Sequence, residues 1–345
     1  MFALSNFLTV YGNVYTDQSV NFYSILAQYL MTAGSLIVNS FLIYLIITGN
    51  RKDIGNYRVL LTCFAINDVI YTTIHFLTYP IPEIYSSTLV MRAHGPLNSQ
   101  FFECLYIANY GTSFPLLAAH FVYRALTLKS SQFSLHFWKF LASTIGTTLI
   151  VAGCWFFLGY VCFAADDESR AITRPLMREE EWSPIIHSNE TEALYYIMGT
   201  YGATADDVPL RYYGGAAILT AIMTATYGTI ITSSYIIVGH VRTNATSTRS
   251  MQLQKQLFKC LVYQTMFPLV TACAPAVFCT IAPIIGFSWP AISIVIPNFC
   301  ALHPLFDGAV VMLTVTEYRR SLIRILLCGS KDVKKLNTTR SLSLA

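Results

Sequence analysis

Apolar residues in this chain gather into seven long runs separated by shorter polar stretches: 24–48, 59–79, 104–128, 137–163, 214–238, 257–285 and 290–316. A helix needs about 20 predominantly apolar residues to cross the roughly 30 Å hydrocarbon layer of a bilayer. The pattern therefore predicts an all-α protein, an integral membrane bundle of seven transmembrane helices filling 24–316. The weakest run is the third, diluted by Asn109, Thr112, Ser113 and His120. A helix that polar is expected to sit among other helices, because lipid offers its side chains no hydrogen-bond partner. After the seventh run, residues 317–328 carry Tyr318, Leu322, Ile325 and Leu326 on one helical face and Arg320 and Arg324 on another. That is the pattern of a short amphipathic helix lying in a membrane interface. An amino-terminal segment, 1–23, expected outside the cell, and a basic Ser/Thr-rich cytoplasmic tail, 329–345, complete the expected organisation.

Composition sharpens the solvent assignment. Hydrophobic residues make up 54% of the 345 and charged residues only 12%, against about 25% charged in soluble domains. Even a large soluble core leaves a surface that must be polar, so the solvent is a lipid bilayer. The formal net charge of +4 is small, and no nucleic-acid partner is implied. Lys and Arg are absent from the first 21 residues, which excludes the basic start of a cleaved signal peptide and makes the first run an anchor.

Charge placement orients the chain. The segments on the carboxy-terminal side hold 17 Lys and Arg and those on the amino-terminal side hold 5. The positive-inside bias then predicts an extracellular amino terminus and a cytoplasmic carboxy terminus. Of the 18 acidic residues, 13 fall on the outer side, many in the long loop before the fifth run. That loop also holds the sequon Asn189-Glu190-Thr191, placed for glycosylation. It contains no cysteine, so a disulfide from Cys104 either uses Cys162 or does not form; both remain open. Cys328, at the end of the amphipathic stretch, is a palmitoylation candidate or an unmodified thiol. The nine cysteines show no C-x-x-C pair with matching His ligands, so no metal site is expected.

Two carboxylates lie within the runs, Asp68 and Asp307, and intramembrane acids are functional candidates. They form either a polar cluster between helices that rearranges on activation or the path of a seven-helix channel or transporter; the first is preferred, since neither acid has a flanking charge. Pro115, Pro268, Pro275, Pro283, Pro297 and Pro304 interrupt the third, sixth and seventh runs, where missing backbone hydrogen bonds permit kinks. In the outer half of the third run, Phe102, Tyr106, Asn109, Tyr110 and Ser113 follow helical spacing along one face. With Tyr71 and His75 from the second run and Asn298 from the seventh, they suit a cavity for a small, weakly polar molecule. No Walker loop, G-x-S-x-G or H-E-x-x-H occurs, so neither an enzyme nor a cofactor is expected.

Four motifs carry a resemblance. They are His120-Phe121-Val122-Tyr123-Arg124 after Tyr110-Gly111-Thr112-Ser113-Phe114; Gly55-Asn56-Tyr57-Arg58; residues 253–265 leading to Pro268; and His303-Pro304-Leu305-Phe306-Asp307 with Glu317-Tyr318-Arg319. In this order the chain resembles the nematode seven-helix chemosensory receptors of the Str class, with Srj as sister class. Ala125, His303 and Gly308 depart from the family pattern. The resemblance implies a G-protein-coupled chemoreceptor of the sensory-neuron plasma membrane, in the cilium. It would detect an odorant or pheromone and couple to a heterotrimeric G protein, with a homo- or heterodimer left open. Coupling is expected around Asp68, His120, Tyr123, Arg124, Lys255, Lys259, Asp307 and Arg319. Arg124, at the end of its helix, can be read as that switch or as a plain interfacial anchor whose long side chain reaches water.

Overall fold

A computed structural model describes residues 18–49, 55–85, 88–93, 95–97, 99–163, 196–199, 210–243, 248–275, 277–278 and 292–328. Its helices are α1 (Gln18–Thr48), α2 (Tyr57–Thr78), α3 (Gln100–Lys129), α4 (Phe137–Cys162), α5 (Leu210–Thr243), α6 (Thr248–Pro268), α7 (Ile292–Thr314) and α8 (Thr316–Cys328). Five of them, in α1, α2, α4, α5 and α7, are long and apolar enough to cross a membrane. Helix α3 is less apolar, and it packs against α2, α4, α5 and α6. Protein surrounds it on most sides, so Thr112, Ser113 and His120 are buried without facing lipid. The converse holds for α4 and α5, where Leu149, Ile150, Ile231 and Tyr235 are exposed apolar side chains, as a lipid-facing surface requires.

Small residues set how closely the helices approach. A Cβ on Gly111 of α3 would lie 2.7 Å from the Trp155 indole of α4, so the ring seats directly on the glycine backbone. Gly111→Ala is expected to displace Trp155 and cost about 1–3 kcal/mol, read as a lower melting temperature of the purified protein. The same substitution at Gly153, where nothing lies within 4 Å, serves as the control.

The all-α expectation needs one amendment. Strands β1 (Pro80–Tyr85), β2 (Thr88–Ala93) and β3 (Tyr196–Gly199) form an antiparallel sheet in the order β1-β2-β3. Helix α2 stops because Tyr79 takes a left-handed conformation (φ 45°), its N–H closing on the His75 carbonyl at 2.8 Å, and Pro80 cannot extend a helix. The chain then returns through a hairpin pairing Tyr85 with Thr88. Gly95 N–H and Leu97 N–H donate to the Thr78 and Leu77 carbonyls at the end of α2, and no side chain fits at Gly95 against Leu77. Strand β1 packs on α7, burying Ile81. The sheet thus caps one end of the bundle, called here the hairpin end.

Helix α6 breaks where the prolines cluster. After Pro268 it widens into a π-helical turn, Leu269–Cys273, in which the Ala274 N–H bonds the Leu269 carbonyl, and Pro275 follows. Such widened turns relieve a backbone that proline prevents from continuing regularly. Just before the break, Phe267 stacks on Phe306 of α7 with ring centres 3.6 Å apart. At the carboxy-terminal end, α8 follows α7 almost without a loop, with Tyr318 buried and Arg319, Arg320 and Arg324 exposed. Residues 1–17, the tail 329–345 and Asn189 lie outside the described residues.

Candidate functional site

Three groups of polar and aromatic side chains occupy different levels of the bundle. The first lies toward the hairpin end. Spacing of three and four residues places Glu103, Tyr106 and Tyr110 on one face of α3 and Tyr71 and His75 on one face of α2. The two faces meet: the Tyr71 and Tyr106 hydroxyls are 3.1 Å apart, and the His75 ring lies 5.6 Å from Tyr106 and 6.0 Å from Tyr71. Tyr110 leans on Tyr71, Phe114 and Trp155. From α7, His303 approaches Tyr71 edge-on, and the Cys300 thiol lies against the Tyr71 and Tyr106 hydroxyls. Tyr71, His75, Tyr106 and Tyr110, expected together from spacing, do converge.

Other residues of the expected ligand face turn elsewhere. Asn298 donates to Ser24 of α1 at 2.9 Å, Ser113 accepts from Asn67, and Phe102 pairs with its neighbour Phe101. Asn109 is half-buried, its backbone carbonyl 2.6 Å from the Thr112 hydroxyl. Glu103, by contrast, was not anticipated, because its sequence position just before the third run counts it with a solvated loop. It is 1% exposed, and neither carboxyl oxygen has a partner among the described residues. The signal available in the sequence was its distance of three residues from Tyr106, which places the two on one helical face. No disulfide joins Cys104 to Cys162 in the structure. Cys104 is fully buried in the first turn of α3, whereas Cys162 packs against Gly215 of α5.

The second group is central. Ser35 and Asn39 of α1, Asn67, Asp68 and Thr72 of α2, Thr112 of α3, and His303 and Asp307 of α7 are all buried. Ser35 bonds Thr72 at 2.7 Å, Thr112 donates to Asn67 at 2.6 Å, and Asn39 donates to the Pro304 carbonyl at 2.8 Å. His303 Nδ1 stands 3.3 Å from Asp307 Oδ2 without hydrogen-bond alignment. Asp68 and Asp307 are close enough to repel each other when both are ionised. The expected pair of acids is therefore one cluster. Four helices share it, so a shift of any one of them disturbs its contacts with the rest.

The third group lies at the opposite end from the hairpin. Tyr57, at the start of α2, is the hub: its hydroxyl is 2.9 Å from His120 Nδ1, and its ring stacks on Tyr123 at 5.9 Å. The Arg124 guanidinium sits 4.2 Å above the same ring, and its Nη1 donates to Gln254 of α6 at 3.0 Å. Its Nε and Nη2 have no hydrogen-bond partner among the described residues. Tyr123 in turn packs on Phe133, Phe137 and Phe140. Arg124 is only 8% exposed, which is not the geometry of a side chain stretched out to reach water. Lys255, Lys259 and Arg319 are exposed, and Lys259 lies over the Tyr263 ring at 5.5 Å.

Among the described residues no group of three or more His, Cys, Asp or Glu is arranged to hold a metal ion. Residues 24–323 match the family described as Serpentine type 7TM GPCR chemoreceptor Str. Serpentine receptor class r-10 of Caenorhabditis elegans is 28% identical over 305 residues, covering 84% of this chain and 87% of the relative. Serpentine receptor class J-38 is 25% identical over 74% of this chain and 78% of its own length, and G-protein coupled receptor str-33 is 24% identical over 85% and 88%, both from the same nematode. The chain is a multi-pass membrane protein and belongs to the Str family of serpentine seven-transmembrane G-protein-coupled chemoreceptors.

Proposed function

We propose that this receptor detects a small molecule at the hairpin end of the bundle, which faces the outside, and activates a heterotrimeric G protein at the Arg124 end, which faces the cytoplasm. The observation that carries the reading is the clamp on Arg124. A buried cation joins α2 and α6 through one ring and one amide, with two of its nitrogens unpartnered. Such a group is under-satisfied where it stands and gains from a new acceptor once α6 moves away. The widened turn after Pro268 supplies a place for α6 to bend. The central Asp68, His303 and Asp307 cluster lies between the two ends, and ligand binding shifts the balance only through its different affinity for the two arrangements. Lys255, Lys259 and Arg319 offer basic surface to the partner. The charge asymmetry of 17 against 5 supports the orientation. The protein then resides in the plasma membrane of a sensory neuron, at the cilium, as an odorant or pheromone receptor.

A ligand screen in cells carrying a calcium reporter tests the receptor role, and an epitope at residue 1 should stain without permeabilisation. Gln254→Leu, which releases Arg124 from α6 while keeping the cation, is expected to raise ligand-independent signalling several-fold. Unchanged basal signalling at equal surface expression would remove the clamp from the mechanism.

A further inference from the structure

We infer that the ligand of this receptor is a small primary ammonium compound with an aromatic or hydrocarbon body, held by Glu103 and His75 at the hairpin end. The inference rests on the proposed ligand site at that end and assigns its chemistry. Glu103 and His75 are each 1% exposed, and neither carboxyl oxygen nor either ring nitrogen has a partner among the described residues. They flank one residue: Tyr106 follows Glu103 by three positions on α3, and its ring lies 5.6 Å from His75. Buried polar atoms without partners each cost about 1–3 kcal/mol, and more when charged, so native proteins keep them where they have a use. Among the described residues, four such atoms lie on the facing stretches of α2 and α3 that carry Tyr71 and Tyr106.

The arrangement has a sign. Glu103 lies in the first turn of α3, where the helix dipole favours the ionised carboxylate. A buried carboxylate is relieved by a cation, and an ammonium group supplies charge and hydrogen-bond donors together. The imidazole offers an acceptor for a second ammonium hydrogen. Tyr71, Tyr106 and Tyr110 stand beside them, with Tyr71 within 5.7 Å of Tyr106 and 6.5 Å of Tyr110, and tyrosine faces attract cations and cover apolar bodies. A weakly polar ligand, expected from the aromatic spacing alone, leaves Glu103 and His75 unsatisfied.

The test uses the purified full-length receptor in detergent, with thermal unfolding as readout. Two probe series are added: benzylammonium and phenethylammonium, and the neutral alcohols of the same shape. The ammonium probes should raise the melting temperature and the alcohols should not. Glu103→Gln should weaken ammonium binding at least about 10-fold, and His75→Ala should weaken it by a smaller factor. Without probe, Glu103→Gln should melt at or above the parent temperature, because it replaces an unpartnered buried carboxyl with a neutral amide of the same shape. Alcohols acting as well as ammonium, or Glu103→Gln binding ammonium like the parent, would overturn the inference. So would a Glu103→Gln protein that melts several degrees early, since Glu103 would then be structural. Alcohol binding lost in Tyr106→Ala would leave the ligand site standing with its ammonium chemistry refuted. No response of the parent to either series would refute both.

Discussion

Arg124→Ala should reach the cell surface at the parent level and lose ligand-driven G-protein activation. The side chain is buried at the meeting point of α2, α3 and α6, held over the Tyr57 ring and by Gln254. A desolvated cation–aromatic contact contributes about 2 kcal/mol, yet the two unpartnered nitrogens set a desolvation cost against it. The net loss of stability on truncation is therefore small, and expression survives. Signalling should not, because the proposed active arrangement needs the guanidinium released from α6. The paired variant Gln254→Leu separates the two halves of this claim: it frees the cation and should raise basal activity, whereas Arg124→Ala should abolish agonist response. A well-expressed Arg124→Ala receptor that signals fully would leave the residue no part in coupling.

Gly308→Val should be among the most destabilising single substitutions in the bundle. A Cβ at this position would lie 2.5 Å from Asn39 Oδ1 and 2.9 Å from Val38 Cγ1, so α1 and α7 touch here backbone to side chain. The same Asn39 donates to the Pro304 carbonyl at 2.8 Å and to the Ser35 carbonyl at 3.1 Å. A branched side chain must push α1 away and break the bond to Pro304, combining over-packing of about 1–3 kcal/mol with a buried carbonyl left unsatisfied at about 1–3 kcal/mol more. The check is loss of thermal stability and surface expression beside Gly146→Val, where nothing lies within 4 Å. Equal behaviour of the two variants would contradict the close contact.

Gly308 also shows how the sequence and the tertiary structure divide the information. As a departure from the family pattern it carries no sign of its purpose; its neighbour Asn39 is 269 positions away in the chain. Glu103 and Asp68 make the same point. Asp68 stands out in the sequence because a lone acid inside an apolar run is expensive. Glu103 does not, since it lies where a run begins and an acid there is ordinarily solvated. What buries it is not written in its neighbours.

Hydrophobic run length, charge asymmetry and four short motifs were enough by themselves to establish a seven-run membrane chain of the Str receptor family and to single out Tyr71, His75, Tyr106, Tyr110 and Arg124. Those signals are local, since a span needs only consecutive apolar residues and a helical face needs only spacing. The sheet at the hairpin end, the separate packing of Cys104 and Cys162, the clamp of Arg124 on Tyr57 and Gln254, and the burial of Glu103 were decided by tertiary structure alone. Each depends on which helices meet and at what depth, and Arg124 and Gln254, 130 positions apart, become neighbours only when α3 and α6 pack.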